Sequence, residues 1–167
     1  MSRPHIVWYN TTGDWKHMNG TAIDASQIIL THPNYDRVGV SEEEALRRAL
    51  AGLPDGVSYE LVQHEDYPDY SKQDFVDAWE CSSGAITCNL AKARGIHMDR
   101  IRVVRNDELA KEDVNTLKAI EAGDSSAQDV VKTKKQTLRD IPQTFDLTTD
   151  TEEELQAKWP SELPARE

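Results

Sequence analysis

The chain is poor in cysteine, with two residues, Cys81 and Cys88, in 167. That is too few for a disulfide scaffold. They bracket "CSSGAITC", which reads as two ordinary semi-buried thiols rather than a closed loop. The opening "MSRPHIVWYN" lacks an apolar core after its single arginine. A cytosolic chain with reduced thiols is therefore expected. No apolar run approaches the roughly 20 residues of a membrane span. Phenylalanine is also scarce, so four tryptophans and five tyrosines supply most of the aromatic bulk. Five histidines occur, none paired at i, i+4, and no HExxH is present. "GTAIDAS" and "SSGAIT" have the wrong spacing for a phosphate loop or a dinucleotide turn. No GxSxG elbow occurs. No cofactor is implied.

Positive charge is in deficit: 19 Lys and Arg face 30 Asp and Glu, a net charge of −11. Such a surface repels phosphate backbones and anionic lipid, so neither nucleic acid nor a membrane is the expected partner. The imbalance is uneven. Residues 1–84 carry 6 cations against 14 anions, whereas residues 85–167 carry 13 against 16. Mixed signs in the second half suit a solvated helical surface.

What is present reads as α+β: a small acidic amino-terminal α+β domain, then a carboxy-terminal antiparallel helical region. "HIVWYN" (5–10), "SQIILT" (26–31) and "VSYELVQ" (57–63) are short, β-branched and aromatic, as strands are. Gly13-Asp14 and Asn19-Gly20 signal turns between the first two. The alternation in the third puts Val57, Tyr59 and Leu61 on one face. "SEEEALRRALAGLPDG" starts a helix at Ser41, with Glu44 at the capping-box position, and Gly52 and Pro54 stop it. Ala45, Leu46, Ala49, Leu50 and Leu53 form its apolar stripe. Residues 1–65 make the first domain. Residues 66–88 are a connector, with a helical turn presenting Phe75, Val76, Ala78 and Trp79, and a short strand. The helical region spans 89–160, and 161–167 is a tail.

From Asn89, a candidate cap, Leu90, Ala93, His97, Ile101 and Val104 recur at helical spacing, and Val114, Leu117 and Ile120 continue the pattern. Gly95 invites a kink or break. Gly123 stops this stretch. Ser125, with Gln128 three on, restarts it, and Ala127, Val130, Val131, Lys134 and Leu138 trace the face. Pro142 is expected to end it, because a residue before proline avoids helical angles. "TEEELQAKWP" repeats the grammar, with Thr151 as cap, Glu154 as box and Pro160 as stop.

Three groups invite chemistry. His64, Glu65 and Asp66 with Asp69 offer a hard-cation cluster, the basis of an alternative reading as a small metal-dependent hydrolase. Carboxylate runs are more often merely solvated. Cys81, Ser82 and Ser83 offer nucleophiles with no base named by the sequence, and read as a turn. Arg94, Arg100, Arg102 and Arg105 with Asp99, Asp107 and Glu108 read as a solvent face or as a face for an acidic partner. A cation suits the last turn of a helix and an anion does not. Asp140 in "TLRDIP" therefore calls for a partner, and Arg105 is the candidate, forming a pair that would set the register of two helices.

"IRVVRNDELAKEDV", "KKQTLRDIP" and "KWP", in that order, resemble the carboxy-terminal pattern of bacteriophage tail assembly chaperone and tail-fibre-associated proteins. The matching positions are Arg102, Arg105, Asn106, Leu109, Gln136, Leu138, Arg139, Asp140, Ile141, Pro142, Trp159 and Pro160. "PDGVSYELVQHEDYP" and "FVDAWE" upstream resemble segments of phage tail-region proteins, so the likeness covers about residues 55–160. Two departures are Val114 in place of a Trp after Asp113, and a longer interval before Trp159 that adds the "TEEEL" helix. The resemblance implies a non-enzymatic protein of the virion tail, or of the host cytoplasm during assembly. Its partners would be other tail or fibre proteins, with self-association left open. Trp79, Phe145 and Trp159 are the expected apolar anchors, among Arg102, Arg105, Asn106, Leu138, Arg139 and Asp140. The overall charge alone suggests a third reading, an acidic inhibitor of a basic host protein.

Overall fold

The computed structural model describes residues 3–9, 16, 22, 23, 25, 27–66 and 70–166, with backbone alone for His64 and residues 70–73. The turns expected at Gly13-Asp14 and Asn19-Gly20 lie outside the described residues, as do His17 and Asp69. The class is α+β. The chain forms two compact units, Met1–Asn89 and Leu90–Glu167.

The first unit contains an antiparallel sheet of β1 (His5–Tyr9), β2 (Ile28–Thr31) and β3 (Tyr59–Val62), in the order β2-β1-β3. Central β1 has no polar residue between His5 and Tyr9, and Ile6 and Trp8 are buried on one face of the sheet and Val7 on the other. A strand covered on both faces needs such an unbroken apolar run. Val7 pairs with Leu30 on one side and Glu60 on the other. The Trp8 indole N–H donates to Thr31 Oγ1 at 3.0 Å. In edge strand β3 Tyr59 and Leu61 share one face, as expected, and are 47% and 40% exposed, whereas Val62 on the other face is fully buried. Val62 sits opposite His5 and shares the face of Val7, where the core lies. A period of two marks a face but does not say which face is inner.

Residues 70–88 belong to the compact first unit and carry regular structure. A 3-10 segment, Tyr70–Ala78, leads into the hairpin of β4 (Trp79–Ser82) and β5 (Ala85–Cys88). Phe75, Ala78, Trp79, Cys81 and Ile86 are buried, and the last three join Val7 and Val62 in one cluster. Trp79 thus begins a strand rather than a helical turn. Ser83 and Gly84 have φ of 54° and 76°. Both residues of a two-residue type I′ turn need positive φ, which explains the Ser-Gly pair. Trp79 lies opposite Cys88 and Cys81 opposite Ile86, so the register does not bring the two cysteines together and no disulfide joins them. The Tyr9 hydroxyl accepts from the Cys81 N–H at 2.9 Å and donates to its carbonyl at 3.1 Å, tying hairpin to sheet. Helix α1 (Glu42–Ala51) starts as expected, with Ser41 Oγ accepting from the Glu44 N–H at 3.2 Å. Glu44 also takes Arg47 and Arg48, whose hydrogen bonds hold its carboxyl down at about 2.

The second unit is helical. Helix α2 (Leu90–Glu121) runs 32 residues without a break at Gly95. A Cβ at Gly95 would meet nothing within 4 Å, so that glycine serves no close approach. Ala93 and His97, both fully buried, hold the helix on either side of it. Gly123, at φ 64°, ends the run: its N–H donates to Ile120 O, and Asp124 N–H donates to Ala119 O, each at 3.0 Å. This pairing is a Schellman motif. Asp124, not Ser125, then caps α3 (Ser125–Thr144), its carboxylate accepting from the Ala127 N–H at 2.9 Å. One residue thus closes a helix and opens the next, leaving a loop too short for anything but an antiparallel pair.

Pro142 lies inside α3, which continues to Thr144. The missing N–H removes one bond, but buried Leu138 and Ile141 anchor the turn, and the Phe145 N–H donates to Ile141 O at 2.9 Å. Packing overrides the local preference. Helix α4 (Glu152–Ala157) is capped by Thr151 as expected, while the Glu154 carboxylate reaches the Asp150 N–H instead of the cap's own. Among the described residues, no helix is long and apolar enough to cross a membrane.

Candidate functional site

The contact between α2 and α3 sets what the second unit shows to solvent. Along α2 the buried positions are Ala93, His97, Ile101, Glu112 and Ala119. Spacings of 4, 4, 11 and 7 keep them on one side of a 3.6-residue helix. Val114, Leu117 and Ile120, expected to continue the buried stripe, do not: they are 51%, 61% and 55% exposed, and Val103 is 62% exposed. By the same arithmetic Val103, Ala110, Val114 and Leu117 fall within about 60° of one another, roughly opposite Ile101 and Glu112. The carboxy-terminal half of α2 therefore turns a glutamate toward its neighbour and its apolar residues outward.

Glu112 is tolerable there because α3 brings a cation to it. Lys134 Nζ donates to Glu112 Oε1 at 2.5 Å, and Asn115 Nδ2 donates to Oε2 at 3.1 Å. The ammonium, then the amide, holds the carboxyl below the usual carboxylate range. Lys135 pairs with Asp113 at 2.5 Å in the adjacent register position. These two cross-helix pairs take the place of the expected Arg105–Asp140 pair. Asp140 instead accepts from Gln136 Nε2 at 2.8 Å, one turn back, and Arg105 Nη2 donates to Asn106 Oδ1 at 2.9 Å. Arg139 is exposed, and Arg102 pairs with Asp99 at 2.7 Å. The sequence pointed to a cross-helix ion pair; α3 placed Lys134 and Lys135, not Asp140, against α2.

A second cluster forms where residues 145–164 fold back on the start of α2. The Arg94 guanidinium donates to Thr149 O at 2.8 Å. His97 Nε2 lies 2.6 Å from Lys158 O; a carbonyl only accepts, so Nε2 carries the proton. The Lys158 ammonium donates to the carbonyls of Asp146 and Thr148, each at 2.9 Å. The Trp159 indole N–H donates to Pro164 O at 2.8 Å, and its ring meets His97 edge-on at 5.9 Å. Leu147, Leu155, Pro160 and Leu163 are buried, so residues 161–164 are not a loose tail. The cluster's hydrogen bonds from Arg94, His97, Lys158 and Trp159 run to backbone carbonyls. It is a clamp, with Leu138 buried and Phe145 half-buried where α3 ends.

Of the expected anchors, Trp79 is 1% exposed and belongs to the core of the first unit, so it offers a partner nothing. Phe145 and Trp159 are half-buried in the clamp. Arg102, Asn106 and Arg139 lie exposed, and Arg105 is half-buried. Val103, Lys132 and Lys135 were not singled out from the sequence. The run "KTKKQ" on an acidic chain was the available signal for the lysines.

The first unit holds a separate feature. His5 and His32, adjacent across β1 and β2, bring their Nδ1 atoms to 2.7 Å. Arg3 bridges Asp36 at 2.9 Å and Glu42 at 2.7 Å beside them, around a depression lined by Arg3, His5, His32, Pro33, Asn34, Tyr35 and Asp36. Among the described residues, no group of three or more His, Cys, Asp or Glu could hold a metal ion. The Glu65 and Asp66 side chains are exposed. Burial, then the nearby Glu60 carboxylate, pushes the Cys81 thiol up to about 11, which makes it a poor nucleophile at neutral pH.

Comparison with protein-family models, with curated proteins and with solved structures gives no match for this chain.

Proposed function

We propose that this chain is a non-enzymatic bacteriophage tail-region protein that acts by binding another tail or fibre protein through its helical half. The reading joins the ordered resemblance in "IRVVRNDELAKEDV", "KKQTLRDIP" and "KWP" to one structural observation. That observation is the outward-facing apolar set on α2, Val103, Val114, Leu117 and Ile120, each more than half exposed. A lone exposed aliphatic residue needs no explanation, but a row of them along a helix marks an interaction surface. The mechanism is recognition: apolar side chains lose water against the partner, and the charged rim sets orientation. The acidic first unit keeps the chain soluble and discourages binding to nucleic acid.

Co-expression with tagged tail and tail-fibre proteins of the phage genome that carries it tests the reading. Co-purification with one of them is expected, and Val114→Asp with Leu117→Asp should abolish it while leaving helical circular dichroism intact. Failure to co-purify with any of them would overturn the proposal. Mass spectrometry of purified particles then separates a virion subunit, present in stoichiometric amount, from an assembly helper, which is absent.

A further inference from the structure

Beside the apolar row of α2 lies a groove of about 400 Å³, lined by Thr116, Gln128, Asp129, Lys132, Lys135 and Arg139. Its sign is opposite to that of the molecule. From Gln128 to Arg139, α3 carries four cations, Lys132, Lys134, Lys135 and Arg139, against the single anion Asp129, on a chain of net charge −11. Lys134 is neutralised by Glu112 and Lys135 by Asp113. Lys132 and Arg139 have no carboxylate partner among the described residues, and both are exposed. They are seven residues apart, so they stand on one face of α3 about 10 Å apart along its axis. Ile120, one turn beyond Thr116 and 55% exposed, flanks the α2 side of the groove.

Resting on the tail-protein reading above, we infer that this groove takes an acidic amphipathic helix of the protein partner. Carboxylates one heptad apart on such a helix match Lys132 and Arg139, while aliphatic side chains between them meet Ile120. Charge complementarity selects this occupant. A phosphate backbone would bring closely spaced charge against Asp113, Asp129 and the acidic remainder of the chain, and would leave Ile120 uncovered. A second copy would have to place its own exposed acidic side chains there, which makes self-association a competing outcome of the test.

The probe is a short fluorescein-labelled helical peptide with Glu residues one heptad apart and Leu between them, titrated with the full-length protein and read by fluorescence polarisation. Binding is expected, and it should weaken as salt is raised. Lys132→Glu with Arg139→Glu should weaken it by about tenfold or more. Lys111→Glu with Lys118→Glu makes the same charge change on the side of α2 turned away from Thr116 and should leave it within about twofold of wild type. Both variants alter exposed side chains, and unchanged helical circular dichroism confirms that they fold. Absence of peptide binding, equal loss in the two double variants, equal binding of an oligothymidylate, or a dimer in sedimentation velocity that the groove variant dissociates would each overturn the inference. If the groove variant still co-purifies with the tail or fibre protein, the groove assignment fails while the tail-protein reading stands.

Discussion

Replacing Lys134 should cost more stability than replacing the buried glutamate it serves. Glu112 is 4% exposed at the α2–α3 contact, while the Lys134 side chain is 52% exposed. Lys134→Ala strands a buried carboxylate, and breaking a buried pair from one side costs about 3–5 kcal/mol. Water reaching the site past the shortened side chain lowers the expected loss to about 2–3 kcal/mol. Glu112→Leu removes the buried charge itself and leaves an ammonium that solvent can hydrate, so its cost is about 0–1 kcal/mol. Urea unfolding at neutral pH, followed by helical circular dichroism, measures both.

Acid sharpens the contrast. In the wild type the depressed carboxyl contributes stability above the ordinary glutamate value of about 4.3, and that contribution disappears as pH falls through the lower folded value. In Lys134→Ala, burial without a cation raises the carboxyl instead, so protonation relieves the variant. The gap between variant and wild type should therefore narrow as pH falls from neutral toward 4. The reverse order of cost, or a gap that widens on acidification, would refute this account of how the two helices are registered.

Three further outcomes are expected. Gly95→Ala should raise stability by about 0.5–1 kcal/mol in the same unfolding assay, because the position is helical, exposed and open to a Cβ; a loss would mean that the helix needs a break there. His97→Ala should destabilise the clamp by about 2–4 kcal/mol, since it deletes a fully buried ring and the donor to Lys158 O. Trp159 fluorescence should shift to the red with it, and an unchanged spectrum would detach the ring contact from the clamp. Iodoacetamide at mildly alkaline pH should label Cys88 well before Cys81, whose thiol is buried and raised to about 11; equal rates measured by peptide mass spectrometry would contradict the burial.

Local grammar made part of this fold legible. Ser41 and Thr151 cap their helices because a short hydroxyl side chain followed three residues later by a glutamate N–H needs no tertiary context. The apolar run of β1 and the stop at Gly123 are local in the same sense. What stayed hidden depends on neighbours distant in sequence. Pro142 sits inside a helix because Leu138 and Ile141 are held by packing. Tyr59 and Leu61 stay exposed because β3 is at the edge of the sheet, while their cross-strand neighbours Trp8 and Ile6 on central β1 are buried. Val114, Leu117 and Ile120 read as core by spacing alone, yet Glu112 occupies the inner position once Lys134 reaches it across the hairpin. Apolar residues displaced outward by an internal ion pair give the candidate surface, and no reading of α2 by itself reveals that.

Hydrogen–deuterium exchange of the full chain, alone and with the tail or fibre protein that co-purifies with it, tests the central claim most directly. The account predicts slowed exchange in peptides from residues 103–121 and 128–139, with the strands of the first unit unchanged. Slowing confined to residues 5–88, with α2 and α3 unaffected, would contradict it.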